Sequence, residues 1–249
     1  MWNFYNRSEK EVELRIEGDI IADNDAWLYE YFGDSHATPN KFREELKSYS
    51  GKNLTVWINS FGGDVFAGFG IYNALKEHKG RVVAKIDGYA MSIASVIAMA
   101  AAEVMVSPVS MMMIHNPWGG TQGESEDMRK YADILDEIKE SIINAYSLKL
   151  DKPRDYISKL MDAETWMSAE KAVEEGFADY ILYQDDTKED KKANTKEDIK
   201  ASIHRNMRES LVCFNKYVAK NLEVPKPSGL LGLYTEKIKN NLRRYNEYE

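Results

Sequence analysis

Apolar residues along this chain recur with two periods. Around residues 11–17, 54–58, 82–86 and 111–114, β-branched and other apolar residues gather in short runs of the kind that form strands. Helical periodicity fills the stretches between them. Segment 64–79 follows a Gly-Gly pair and reads as a helix; segment 92–103, with Ala94, Ala98, Ala101 and Ala102, reads as a second, tightly packed one. Each follows a strand through a glycine-bearing turn. From Glu124 onward, Met128, Tyr131, Leu135, Ile138, Ile142 and Tyr146 recur at three- and four-residue steps with charged residues between them, which predicts a long amphipathic helix. Its apolar stripe fits either the core of its own subunit or a contact between subunits. The alternation of the two periods predicts an α/β fold.

After Tyr183 the texture changes. Residues 184–200 are a dense mixture of Asp, Glu, Lys and Thr with few apolar positions, as in a solvated linker. Residues 201–249 carry weak helical patches either side of Pro225-Lys226-Pro227-Ser228-Gly229 and no motif with chemistry of its own. The organisation read from this is a domain over 1–183, a charged linker over 184–200 and a mostly helical extension over 201–249.

Composition narrows the function classes. With 249 residues, 43% of them hydrophobic, the chain can bury one sizeable core and still carry an appendage. A net charge of −8 argues against nucleic acid as the partner, because a phosphate-binding face would work against the field of the whole molecule. The single cysteine, Cys213, allows no intrachain disulfide, and no Cys/His spacing suggests a metal. No cofactor is expected. The first ten residues lack the apolar core of a signal peptide, and the longest apolar stretch, about 90–102, is too short to span a bilayer. The reading is a cytoplasmic protein with no membrane partner.

Three places hold residues suited to catalysis. In Ile58-Asn59-Ser60-Phe61-Gly62-Gly63-Asp64, paired glycines between strand and helix let backbone N–H groups approach a ligand, though the same pair serves as a plain connection. In Gly88-Tyr89-Ala90-Met91-Ser92-Ile93, Ser92 opens the alanine-rich helix, either as a cap or as a nucleophile needing a base within hydrogen-bond reach. Of the histidines, His36 lies in a polar loop, His78 ends an exposed helix and His204 lies in the appendage. His115 differs because it closes the apolar strand 111–114 ahead of Asn116-Pro117-Trp118-Gly119-Gly120.

Taken together and in this order, these segments resemble the Clp protease family and its relatives among bacteriophage head-maturation proteases. The resemblance extends through Met167-Ser168-Ala169 to Ala172-Val173-Glu174-Glu175-Gly176-Phe177-Ala178-Asp179, which is similar to the family's closing signature. Phe61 stands where the family has proline and Asn116 where it has glutamine. The resemblance implies a spiral of βα units shared with crotonases, a long handle helix that meets a partner ring, and a homo-oligomer. It implies a serine endopeptidase in which Ser92 attacks, His115 is the base, and the N–H groups of Gly63 and Ile93 hold the oxyanion. The acid falls at Glu164, with Asp162 as the alternative. An early first strand and a long tail point to the phage type, acting on scaffold or capsid protein in the host cytoplasm or procapsid. The rivals are a housekeeping Clp peptidase with an AAA+ unfoldase, an assembly subunit with a weakened site, and a crotonase-type acyl-CoA enzyme.

Overall fold

The computed structural model describes residues 8–184 and the backbone of 2–6; residues 185–249, and with them His204, Cys213 and nearly all of the linker and extension, lie outside the described residues. The elements in chain order are β1 (Trp2–Asn6), β2 (Glu11–Ile20), α1 (Ala26–Phe32), β3 (His36–Ala37), α2 (Pro39–Lys47), β4 (Asn53–Gly63), α3 (Val65–Glu77), β5 (Val82–Met91), α4 (Ile93–Ala98), β6 (Glu103–Val106), β7 (Met111–Ile114), α5 (Ser125–Ser147), α6 (Arg154–Asp162), β8 (Thr165–Ser168), α7 (Ala169–Glu175) and β9 (Tyr180–Ile181). They form one nine-stranded sheet with the path β1-β2-β4-β5-β6-β9. The run from β2 to β9 is parallel and β1 is antiparallel to β2.

Alternation in the strands decides which face of the sheet is dry. Val12, Leu14, Ile16 and Ile20 of β2, Leu54, Val56 and Ile58 of β4, and Val82, Ala84 and Ile86 of β5 are buried together with residues of α2, α3 and α4. The opposite face is half-exposed and polar. There the register aligns Arg15, Trp57 and Lys85 across three strands, and the indole ring carries the Arg15 guanidinium at 5.5 Å and the Lys85 ammonium at 5.1 Å. Contacts of this type contribute about 0.5–1 kcal/mol each at exposed sites.

Several boundaries differ from the sequence expectation. The expected helix over 92–103 ends at Ala98, since the chain turns so that Ala102 N–H can donate to Val82 O at 2.9 Å and start β6. Strands β4 and β5 run on to Gly63 and Met91, past the β-branched runs, because neighbouring strands continue to pair with them. In α5 the buried positions, Ile142, Ile143, Ala145 and Tyr146, lie in the C-terminal part, whereas Met128 of the stripe is exposed. The stripe is thus core only over its second half.

The chain divides into two compact units, and among the described residues the second holds 118–133. Within that segment Glu124 N–H donates to Asp127 Oδ2 at 3.0 Å at the start of α5, and a Cβ added to Gly119 would meet the Tyr131 hydroxyl at 2.1 Å. The rest of the described chain belongs to the first unit, which contains every residue of the site below.

Candidate active site

One edge of the sheet collects the residues singled out by sequence. The first half of β5 pairs with β6 and its second half, Tyr89–Met91, with β7, so β5 ends between β4 and β7. Gly62-Gly63 form the carboxyl end of β4, and Ser92 and His115 stand directly after the carboxyl ends of β5 and β7. The crevice outside the carboxyl ends of parallel strands is the usual place for a site in an open α/β sheet. Strand β8 runs antiparallel to β7 with Thr165 opposite Ile114 as the last pair, so Glu164, which precedes Thr165, and His115, which follows Ile114, both leave the ladder at the same end.

Ser92 sits on a sharp strand-to-helix turn at φ 53°, ψ −129°. A non-glycine residue in that region costs on the order of 1–3 kcal/mol and persists only where its surroundings over-determine it. Several contacts do so here. Ser92 N–H donates to Met113 O at 2.8 Å, and Ser92 O accepts from both the Ser95 N–H at 3.0 Å and the Ser95 hydroxyl at 2.5 Å. From the other side Gly62, at φ 97°, lies so close that an added Cβ would be 2.8 Å from Met91 O and from Ser92 Cβ. The glycine turn is itself braced by Ser60, which is fully buried. Its hydroxyl donates to Gly18 O at 2.6 Å and accepts from Gly62 N–H at 3.1 Å.

His115 Nε2 lies 2.8 Å from Ser92 Oγ, within hydrogen-bond reach of the only proton that hydroxyl carries. The other two histidines among the described residues are engaged elsewhere. His78 Nε2 meets Lys52 O at 2.7 Å and His36 Nδ1 meets Asp34 O at 3.0 Å, both local structural bonds. The two candidate acids are placed differently. Asp162, half-exposed, accepts from Lys139 Nζ at 2.6 Å and from Asn116 Nδ2 at 2.9 Å, and these bonds, Lys139 first, hold its carboxyl below the usual range. Glu164 is exposed in the turn between α6 and β8, at φ 48°.

The remaining surroundings are aromatic and acidic. Phe61 stacks on Tyr89 with ring centroids 4.1 Å apart. Asp19, which pairs in register with Gly62, is partly buried, and loss of hydration pushes its carboxyl up despite a 3.3 Å hydrogen bond from the Tyr29 hydroxyl. Sequence reasoning gave Ser60, Ser95 and Tyr146 no part in the site. Ser60 stood inside a motif already noticed, whereas Ser95 and Tyr146 looked like ordinary positions on two helices.

Comparison with known proteins gives the family. The Clp protease family model matches residues 45–185, more than half of the chain. Similar proteins include the ATP-dependent Clp protease proteolytic subunits of Porphyromonas gingivalis, 35% identical over 134 residues, and of Bacteroides thetaiotaomicron, 35% identical over 137. Each match takes in 53% of this chain, and 60% and 61% of the respective relative. The ATP-dependent Clp protease proteolytic subunit 1 of Chlamydia pneumoniae is 36% identical over 143 residues, 56% of this chain and 74% of the relative. The chain thus spans about three-fifths of the length of the first two relatives and three-quarters of the third. With the match running from α2 to the last described strand and taking in the glycine turn, Ser92, His115 and β8, the chain belongs to the Clp protease family.

Proposed function

We propose that the chain is a serine endopeptidase that cuts peptide bonds at Ser92. The observation that carries this reading is the 2.8 Å approach of His115 Nε2 to a serine hydroxyl held on a strained turn. With His115 protonated at Nδ1, Nε2 accepts the Ser92 proton as Oγ attacks the scissile carbonyl carbon. The oxyanion that forms is held by the N–H groups of Gly63 and Ile93. Collapse breaks the C–N bond, His115 returns the proton to the leaving amine, and water then hydrolyses the acyl-serine by the same steps. Glu164 orients the imidazole, a role supported by the last β7–β8 pair, Ile114 with Thr165, from which His115 and Glu164 leave at the same end; Asp162 is the alternative acid. No metal or cofactor takes part in these steps.

The substrate is protein. Processing of phage scaffold or capsid protein by a homo-oligomeric ring is the narrower reading, and it rests on the sequence resemblance. The names of the relatives favour a second reading, the proteolytic subunit of an ATP-dependent machine.

Labelling with a fluorophosphonate probe tests the chemistry: Ser92 is marked, and the label disappears in Ser92→Ala and in His115→Ala. Proteolysis that survives Ser92→Ala would overturn the mechanism. New protein termini, mapped by mass spectrometry after co-expression with scaffold and capsid proteins or with an AAA+ unfoldase, separate the two substrate readings.

A further inference from the structure

Behind the Ser92 turn runs a buried chain of hydroxyl groups. Ser95 Oγ lies 2.5 Å from Ser92 O, and the Tyr146 hydroxyl lies 2.8 Å from Ser95 Oγ. A carbonyl has no proton to give, so Ser95 donates to Ser92 O. Its one proton being spent, Ser95 must accept from Tyr146. The direction is therefore set from end to end: Tyr146 O–H to Ser95 O–H to Ser92 C=O. Both side chains are fully buried, and burial pushes the Tyr146 hydroxyl well above its usual range, so it keeps its proton at any working pH.

The carbonyl at the end of this chain shares a peptide unit with the N–H of Ile93. That unit is planar and trans, so a carbonyl drawn inward toward Ser95 and Tyr146 aims the Ile93 N–H the opposite way, out of the core. Hydrogen bonds to the carbonyl oxygen also polarise the amide and make its N–H a stronger donor. We infer that Tyr146 and Ser95 are positioning residues which lock the Ser92–Ile93 peptide plane and so aim the Ile93 N–H at the developing oxyanion. The inference rests on the reading of Ser92 as nucleophile and Ile93 N–H as oxyanion donor. It also explains why a helix far along the chain bears on the site: 51 residues separate Ser95 from Tyr146.

The test uses the full chain and a fluorogenic peptide. Tyr146→Phe keeps the ring, including its edge-to-face contact with Phe177 at 5.3 Å, and removes only the hydroxyl. It lowers kcat about tenfold with KM unchanged, a smaller loss than the removal of an oxyanion donor outright. Affinity for a peptide boronate, whose tetrahedral adduct mimics the oxyanion, falls by a similar factor. Binding of an uncleaved peptide to Ser92→Ala/Tyr146→Phe matches binding to Ser92→Ala.

Stability separates positioning from a merely structural role. Ser95→Ala strands the Tyr146 hydroxyl in the core and lowers Tm, whereas Ser95→Ala/Tyr146→Phe regains Tm yet stays as slow as either single variant. A kcat in Tyr146→Phe within twofold of the parent, or activity that recovers along with Tm in the double variant, overturns the inference. The two readings fail separately. Cleavage that survives Ser92→Ala removes the proposed function itself, while its abolition there beside an unaffected Tyr146→Phe removes only this role.

Discussion

Ser92 and His115 each have an ordinary structural explanation when read alone, a cap and a strand-end imidazole; what separates them from such residues is a distance. At 2.8 Å the hydroxyl and the imidazole stand as the proposed nucleophile and base require, and only the fold brings together residues from the ends of β5 and β7. The acids divide on their surroundings. Asp162 is occupied by Lys139 and Asn116, while Glu164 and His115 each follow directly on the last β7–β8 pair, Ile114 with Thr165. Glu164→Gln is accordingly expected to lower kcat by about 10³–10⁴, the loss typical when a triad acid becomes an amide, while Asp162→Asn stays within a few-fold of the parent. Steady-state kinetics of the two variants decides it, and the reverse ranking would transfer the role to Asp162. Asp19 gives a pH dependence. Its folded carboxyl is raised by burial, so its contribution to stability is present below the unfolded value and is lost as pH rises through the folded one. Asp19→Asn therefore raises Tm relative to the parent at pH 7 and gives little or no gain at pH 3, as scanning calorimetry at the two pH values would show.

At the scale of elements, the strand cores were legible because β-branched runs with alternating burial are a local property of sequence. Their ends were not. Strand β4 reaches Gly63 because β2 pairs with it to the last residue, and α4 stops at Ala98 because β6 must begin at Glu103; neither neighbour is visible in a local window of sequence. The glycine turn is where element geometry and chemistry meet. Gly62→Ala would put a methyl group into Met91 O and Ser92 Cβ at a φ of 97°. The expected result is a loss of about 1–3 kcal/mol of stability from backbone strain, with labelling of Ser92 slowed further than the change in Tm accounts for. Chemical denaturation together with probe kinetics measures both, and a variant of parental activity would show that the turn bears no part of the site.

For the whole molecule, the buried apolar residues among those described run from Val12 to Ala178. Deleting 184–249 should then leave a soluble chain with a cooperative thermal transition and an unchanged rate of Ser92 labelling; aggregation would show that the tail supplies core. The exposed aromatics Trp27, Tyr31 and Phe32 on α1 and the exposed Ile134 on α5 fit a chain that assembles with copies of itself, which light scattering would read as a multiple of 28.6 kDa. By itself the sequence determined the α/β class, the positions of the main strands and the long helix, and the order of the motif-bearing segments, because periodicity and turn chemistry act between near neighbours. Only the tertiary structure decided which serine stands on a strained turn, that its hydroxyl meets His115, and that Tyr146 reaches the back of that turn through Ser95. Those are contacts between residues from 23 to 51 positions apart, and nothing in a local pattern specifies them.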